Sequence, residues 1–208
     1  MSDPKITAIY NYSTASDKPR FGDHRAVFNC TLSDEWKAWS RHGGNTLSQH
    51  EFAAFIEDNI GDIQVKPDLT DEANAVLKGV SLMLGYAYAG QADMLQLSRG
   101  IEINESAKAR TGANMQSGER TLEYVTEHKD GSGNKLTVPG LFLIAIPVFK
   151  DGVIYRLPVR LRYRLKDGTV LWSYDIYRDD KAFKDAYDEI CAQIAKETGA
   201  SVFVGQPE

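Results

Sequence analysis

The chain has 208 residues, 42% of them hydrophobic and 25% charged, with a net charge of −5. That length suits a single domain whose core is large enough to stand without disulfides or metals. The acidic balance argues against a protein that coats nucleic acid with its whole surface, although one local basic face stays compatible with it. The two cysteines, Cys30 and Cys191, lie far apart, and no C-x-x-C pair exists to suggest a zinc ribbon or a redox motif. The opening MSDPKITAIYNYSTASDK has no basic block followed by an apolar one, so it does not read as a secretory signal. The longest apolar run, LFLIAIPVF at 141–149, is too short to cross a bilayer as a helix. Free thiols and a cytoplasmic location are the expectation.

Residues 1–30 carry turn formers and weak alternation, which predicts an extended segment with short strands at ITAIY and AVFNC. Residues 31–98 read as mainly helical. Ser33 is placed to cap a short helix that Gly43–Gly44 stops, with Trp36 and Trp39 on one face. That Trp pair could stack on bases, but a buried helix face is the commoner use. In LSQHEFAAFIEDNIG, Ser48 and Glu51 have capping-box spacing, and Leu47 and Phe52 hold staple positions. Phe52, Phe55, Ile56 and Ile60 form an apolar stripe that Gly61 closes. A second helix is expected to open at Thr70 and run over 71–90, with Gly79 and Gly85 weakening its continuity.

From residue 119 the period changes to two, which predicts an antiparallel sheet over 119–178. Asp151–Gly152 and Asp167–Gly168 separate alternating apolar runs, a strong hairpin signal whose preferred turn needs φ > 0 at both residues. The first turn puts Tyr155 opposite Val148 and Leu161 opposite Phe142; the second puts Tyr163 opposite Trp172 and Leu161 opposite Tyr174. Both registers turn one and the same face of YRLPVRLRYRLK to the core. The other face then carries Arg156, Arg160, Arg162 and Arg164, with Arg160 opposite Asp175 and Glu119, Glu123 and Glu127 on the preceding strand. Few aromatic rings interleave with these arginines, as stacking on single strands would need. Flanking leucines suit a covered face or a protein interface better than phosphate contact. A helix over 180–198 shows Phe183, Tyr187, Ile190, Cys191 and Ile194 on one side, Gly199 ends it, and SVFVG predicts a last short strand. The fold class is therefore α+β, an antiparallel meander packed against the 71–90 and 181–198 helices in a single domain over 1–208.

Catalytic signatures are sparse. His50–Glu51 begins H-E-x-x-H, but Ala54 stands where the second histidine belongs, and Glu51 is explained by the capping box. GSGNK at 131–135 sits in a hairpin loop and leads into no helix, and G-x-S-x-G is missing. The most site-like cluster is Asp23, His24 and Arg25, yet on a strand His24 would point away from the other two. Glu57–Asp58 and Asp179–Asp180 fall at a helix end and a helix start, so no metal site is expected and no cofactor is called for.

The chain resembles the YfdQ-like family of phage and prophage proteins, a family whose domain has no assigned function. The resemblance rests on FGDHRA at 21–26, the W-x-x-W at 36–39, LSQHEFAAFIEDN at 47–59, LFLIAIPVF and VRLRYR across 141–164, and the closing GASVFVGQP. It spans most of the chain, with 90–118 contributing little, and supplies no catalytic residues. It implies a phage or prophage origin and a bacterial cytoplasm. Two functional expectations follow. The first is a non-enzymatic protein that associates with itself into a homo-oligomer. The second is a nucleic-acid-binding accessory of phage replication or recombination that uses the arginine row. An enzyme centred on Asp23, His24 and Arg25 has no nucleophile or metal set beside it.

Overall fold

A computed structural model describes residues 3–10, 24–98, 102–103, 108–113, 120–125, 128–129, 135–136, 138–166 and 169–205. In chain order the elements are β1 (Lys5–Ile9), β2 (Arg25–Asn29), α1 (Asp34–Arg41), β3 (Leu47–Ser48), α2 (Gln49–Asp58), α3 (Ala75–Leu84), β4 (Tyr88–Ala89) and α4 (Gln91–Ser98). Short strands β5 (Glu102–Ile103), β6 (Lys108–Ala113), β7 (Arg120–Val125), β8 (His128–Lys129) and β9 (Lys135–Leu136) follow. The last elements are β10 (Leu141–Pro147), β11 (Ile154–Lys166), β12 (Thr169–Ile176) and α5 (Asp179–Thr198). Helices and mixed and antiparallel sheets make this an α+β fold. The residues expected to form one domain divide into two compact units. One comprises 1–43, 145–157 and 176–208, and the other 44–144 and 158–175.

The largest sheet has the order β3-β12-β11-β10-β4, so the expected meander β10-β11-β12 lies at its centre. The preceding strand does not join it as the sequence suggests. β7 pairs with β6 in a separate ladder, and β4 takes the place beside β10 in a parallel pairing. Leu141, Phe142, Leu143, Ile144 and Ile146 are all fully buried. A strand with both faces covered can be continuously apolar, which explains why LFLIAIPVF lacks alternation.

In the first unit, the Ser33 hydroxyl accepts from Trp36 N–H at 2.9 Å and donates to the Pro147 carbonyl at 2.6 Å. The cap thus also fixes α1 to the end of β10, and Trp36 and Trp39 are buried, not offered to bases. Phe183 of α5 sits 5.3 Å from the Phe149 ring and 6.4 Å from that of Trp36. The α5 boundaries match the expectation, but Ala182 and Ala186 are its buried positions, while Phe183, Tyr187, Ile190, Cys191 and Ile194 are half-buried.

The β10–β11 turn corrects the predicted one. Gly152 N–H bonds to the Phe149 carbonyl at 3.0 Å, and only Asp151 has positive φ, at 60°. The turn therefore centres on Lys150–Asp151, one residue earlier than expected. Gly152 is needed for a different reason, because a Cβ there would lie 2.9 Å from the Phe149 carbonyl oxygen. Sliding a two-residue turn by one moves the cross-strand register by two, so Tyr155 faces Ile146 instead of Val148. Side chains keep their faces under a shift of two.

The second unit shows the same register. Leu161 N–H bonds to the Gly140 carbonyl at 2.9 Å, which sets Val159, not Leu161, opposite Phe142. Val170, Trp172 and Tyr174 of β12 are buried, as alternation requires. Their stacking partners come from α2, where the sequence points to the 71–90 helix. Phe52 stacks on Trp172 with centroids 4.6 Å apart, and Phe55 on Tyr174 at 5.3 Å. The capping box of α2 is complete, with Glu51 accepting from Ser48 N–H at 2.8 Å. α2 stops at Asp58, so Ile60 falls in a 3₁₀ turn beyond the stripe it was assigned to.

α3 starts later and ends earlier than 71–90, because Thr70 is held in a local turn by Asp68 and Gly85 adopts a left-handed cap at φ 69°. The segment SVFVG forms no strand. The predicted Asp167–Gly168 turn lies outside the described residues. Among the described residues, no helix is long and apolar enough to cross a membrane.

Ser33→Ala removes a cap and a buried interelement bond together. Denaturant unfolding should show a loss of about 1–2 kcal/mol with unchanged m-value.

Candidate functional site

The arginines of β11 alternate with its core residues, so a period of two sets them on one side of the strand. In the second unit, Asp175 of β12 lies between two of them. Its Oδ2 is 2.8 Å from Arg162 Nη1 and 3.5 Å from Arg160 Nη2. The expected Arg160–Asp175 pairing is present, and Arg162 makes the shorter contact. Arg160 and Asp175 are half-buried, and Arg162 is more exposed. Arg164 Nη2 reaches Thr46 Oγ1 at a long 3.4 Å. Arg156 is exposed and belongs to the first unit, so the described geometry brings Arg160, Arg162 and Arg164 into one unit and leaves Arg156 out of it.

One carboxylate against two guanidiniums leaves a local excess of one positive charge. Exposed pairs of this kind are worth about 0.2–1 kcal/mol each. Guanidinium N–H groups not turned to Asp175 keep the geometry for a carboxylate or a phosphate. Tyr163, between Arg162 and Arg164 in the chain, leans on Trp172 at 5.8 Å, so it does not form a stacking platform beside the arginines. The side chains of Glu119, Glu123 and Glu127, expected near this face, lie outside the described residues.

Asp23 also lies outside the described residues. His24 precedes β2, its carbonyl accepts Tyr10 N–H at 3.1 Å, and Arg25 pairs with Ile9. Both are exposed. His50 is exposed in the first turn of α2, and Asp58 and Asp179–Asp180 occupy helix ends as expected. Among the described residues, no group of histidine, cysteine or acidic side chains could hold a metal ion.

Polar sites absent from the sequence reading are equally informative. In the first unit, Tyr155 Oη donates to Glu189 at 2.9 Å across a shallow groove of about 210 Å³ between the β10–β11 turn and α5. Burial, reinforced by the Glu189 carboxylate, pushes the Tyr155 hydroxyl up to about 12. Cys30 is buried, and burial together with the nearby Cys191 raises its thiol. In the second unit, burial alone pushes Tyr88 up to about 12, and it raises Tyr174 as well.

Residues 3–207 match the family described as "Uncharacterized conserved protein (DUF2303)". The chain belongs to that family. No curated protein and no solved structure matches it.

Gln49 is a polar junction of the second unit. Its Oε1 accepts from Trp172 Nε1 at 2.7 Å, and its Nε2 donates to the Leu97 and Ser98 carbonyls at 3.1 and 3.0 Å. One amide thereby joins β12, α2 and the end of α4. The sequence offers no clear signal for this, since a glutamine following an N-cap is ordinarily solvated. Gln49→Leu keeps the bulk but strands a buried indole N–H and two carbonyls. Urea unfolding should show a loss of about 1–3 kcal/mol, accompanied by a changed near-ultraviolet circular dichroism band for Trp172.

Proposed function

We propose that this DUF2303 protein is a non-enzymatic protein encoded by a phage or prophage, that it acts in the host bacterial cytoplasm, and that it works by associating with itself into a homo-oligomer. The observation that carries the association is the outer side of α3. Val76, Leu82 and Met83 are 65–79% exposed there, and a Cβ on Gly79 between them would meet open space. Each apolar Å² returned to contact is worth roughly 25 cal/mol, and clustered exposure of large apolar groups marks association surfaces. A glycine among them lets a second backbone approach closely. The phage origin and the compartment rest on the family resemblance carried by FGDHRA, the Trp36/Trp39 pair and VRLRYR.

The second reading is a nucleic-acid-binding accessory of phage replication or recombination. Its support is that Arg156, Arg162 and Arg164 are exposed. Asp175 weighs against it, because phosphate would have to compete with a carboxylate already seated at Arg160 and Arg162.

Light scattering on the chromatographed protein at micromolar concentration is expected to give a mass of at least two chains. A clean monomer rejects the association reading. Single-stranded DNA at low salt is expected to bind no better to the wild type than to R160A/R162A/R164A. A salt-sensitive complex lost in that variant would establish the second reading instead.

A further inference from the structure

Two segments of the first unit carry complementary unmet capacity for β-pairing. The first is the outer edge of β2. Its partner is β1, in a two-stranded ladder that pairs Lys5 with Asn29 and Ile9 with Arg25. Hydrogen bonds from Tyr10 N–H to His24 O and from Cys30 N–H to Pro4 O fix the phase of that ladder. In an antiparallel pair, the residues that exchange both bonds alternate with residues that exchange none. Even-numbered Ala26 and Phe28 are therefore bonded to β1, and Val27 turns its N–H and C=O outward. All five residues of β2 are exposed, and the Val27 and Phe28 side chains are more than half so on opposite faces.

The second segment is Ser201–Gly205, held past the end of α5 by the left-handed Gly199. Val202, Phe203 and Val204 have strong strand propensity, yet they make no hydrogen bond among the described residues. Phe203 is 87% exposed and Val204 95%. The segment has five residues, as β2 has, and it contains no charged side chain. Nor does Ala26–Phe28, so pairing the two sets no charge against hydrocarbon.

We infer that Ser201–Gly205 of one chain adds as a strand to the outer edge of β2 in a second copy. The inference rests on the association reading above and adds a second contact to the α3 face. Among the described residues both halves stand open, so the occupant of each is the other half on another molecule. Strand addition gives affinity through main-chain bonds and specificity through alternate side chains. Phe203 and Val27 would then exchange backbone bonds, with the valines flanking Phe203 packed beside Ala26 and Phe28. Because two different surfaces meet, the contact either closes as a reciprocal two-fold pair or runs head to tail into a ring or an open filament.

The test uses two variants of the full chain. Val27→Pro removes only an outward-facing donor, a position where an edge strand accepts proline. F203S/V204S removes apolar groups that are 87% and 95% exposed in the single chain, so its folding does not depend on them. Light scattering should show both variants at a lower mass than the wild type, with unchanged near-ultraviolet circular dichroism. If proline disturbs that spectrum, the serine variant decides alone. Hydrogen exchange on the wild type should show slow amides at Val27 and Phe203. In V27P, exchange at Phe203 should become fast while Ala26 and Phe28 stay slow. An oligomer whose mass survives the serine variant, or whose Val27 and Phe203 amides exchange fast, overturns this contact and leaves the association reading standing. A monomeric wild type overturns both, and frees the β2 edge for a strand of another protein.

Discussion

A buried indole needs an acceptor for its N–H, and in the second unit that requirement organises the neighbours. Trp172 is fully buried, stacked on Phe52 and bonded to Gln49. An unmet N–H at that depth would cost on the order of 1–3 kcal/mol. Gln49 meets it, and its own amide hydrogens must then find acceptors. The last carbonyls of α4, which no helical N–H can reach, supply them. Three groups that would each be costly alone are mutually satisfied. The stack of aromatic rings decides that α2 lies on β12, and the amide decides where α4 ends against α2. Apolar area alone would permit many rotations of these helices; directional bonds select one.

Much of this was legible in the residues. Ser33 and Ser48 cap the helices they were expected to cap, because cap chemistry is local and its spacing is fixed by the helix. The core face of β12, and that of β11 at Leu157, Val159 and Leu161, also follows from alternation, whereas Tyr163 stays exposed. Partners of a strand are less local. Nothing in LFLIAIPVF says that Tyr88–Ala89 will lie parallel to it, since a two-residue strand has no pattern of its own. The long helix expected over 71–90 failed where Gly85 could take a left-handed conformation at no steric cost. SVFVG has the composition of a strand, but composition does not supply the partner that a strand requires.

The arginine row was visible as a pattern and less so as chemistry. Its two best-defined members share a carboxylate, and sequence spacing suggested one of those pairings but not the other. Charge counted along a strand overstates what a ligand would meet, because cross-strand neighbours have already claimed part of it. The same limit applies to Gln49 and to Tyr155, whose partners lie 123 and 34 residues away along the chain. Such pairs leave no trace in a local window.

The one-residue slide of the β10–β11 turn also bears on how this hairpin can change over generations. A turn that moves along the chain without altering its length shifts the strands by two, and an even shift leaves core and surface residues sorted. Substitutions that favour one turn site over its neighbour are thereby buffered. A single-residue insertion in the loop has no such protection. Passed on into the strand with the turn held at two residues, it would send Arg160 and Arg162 inward and Val159 and Leu161 outward in one step. The hairpin tolerates drift in where it bends, whereas an odd change in length has to be taken up inside the bend, as a three-residue loop with a bulge does.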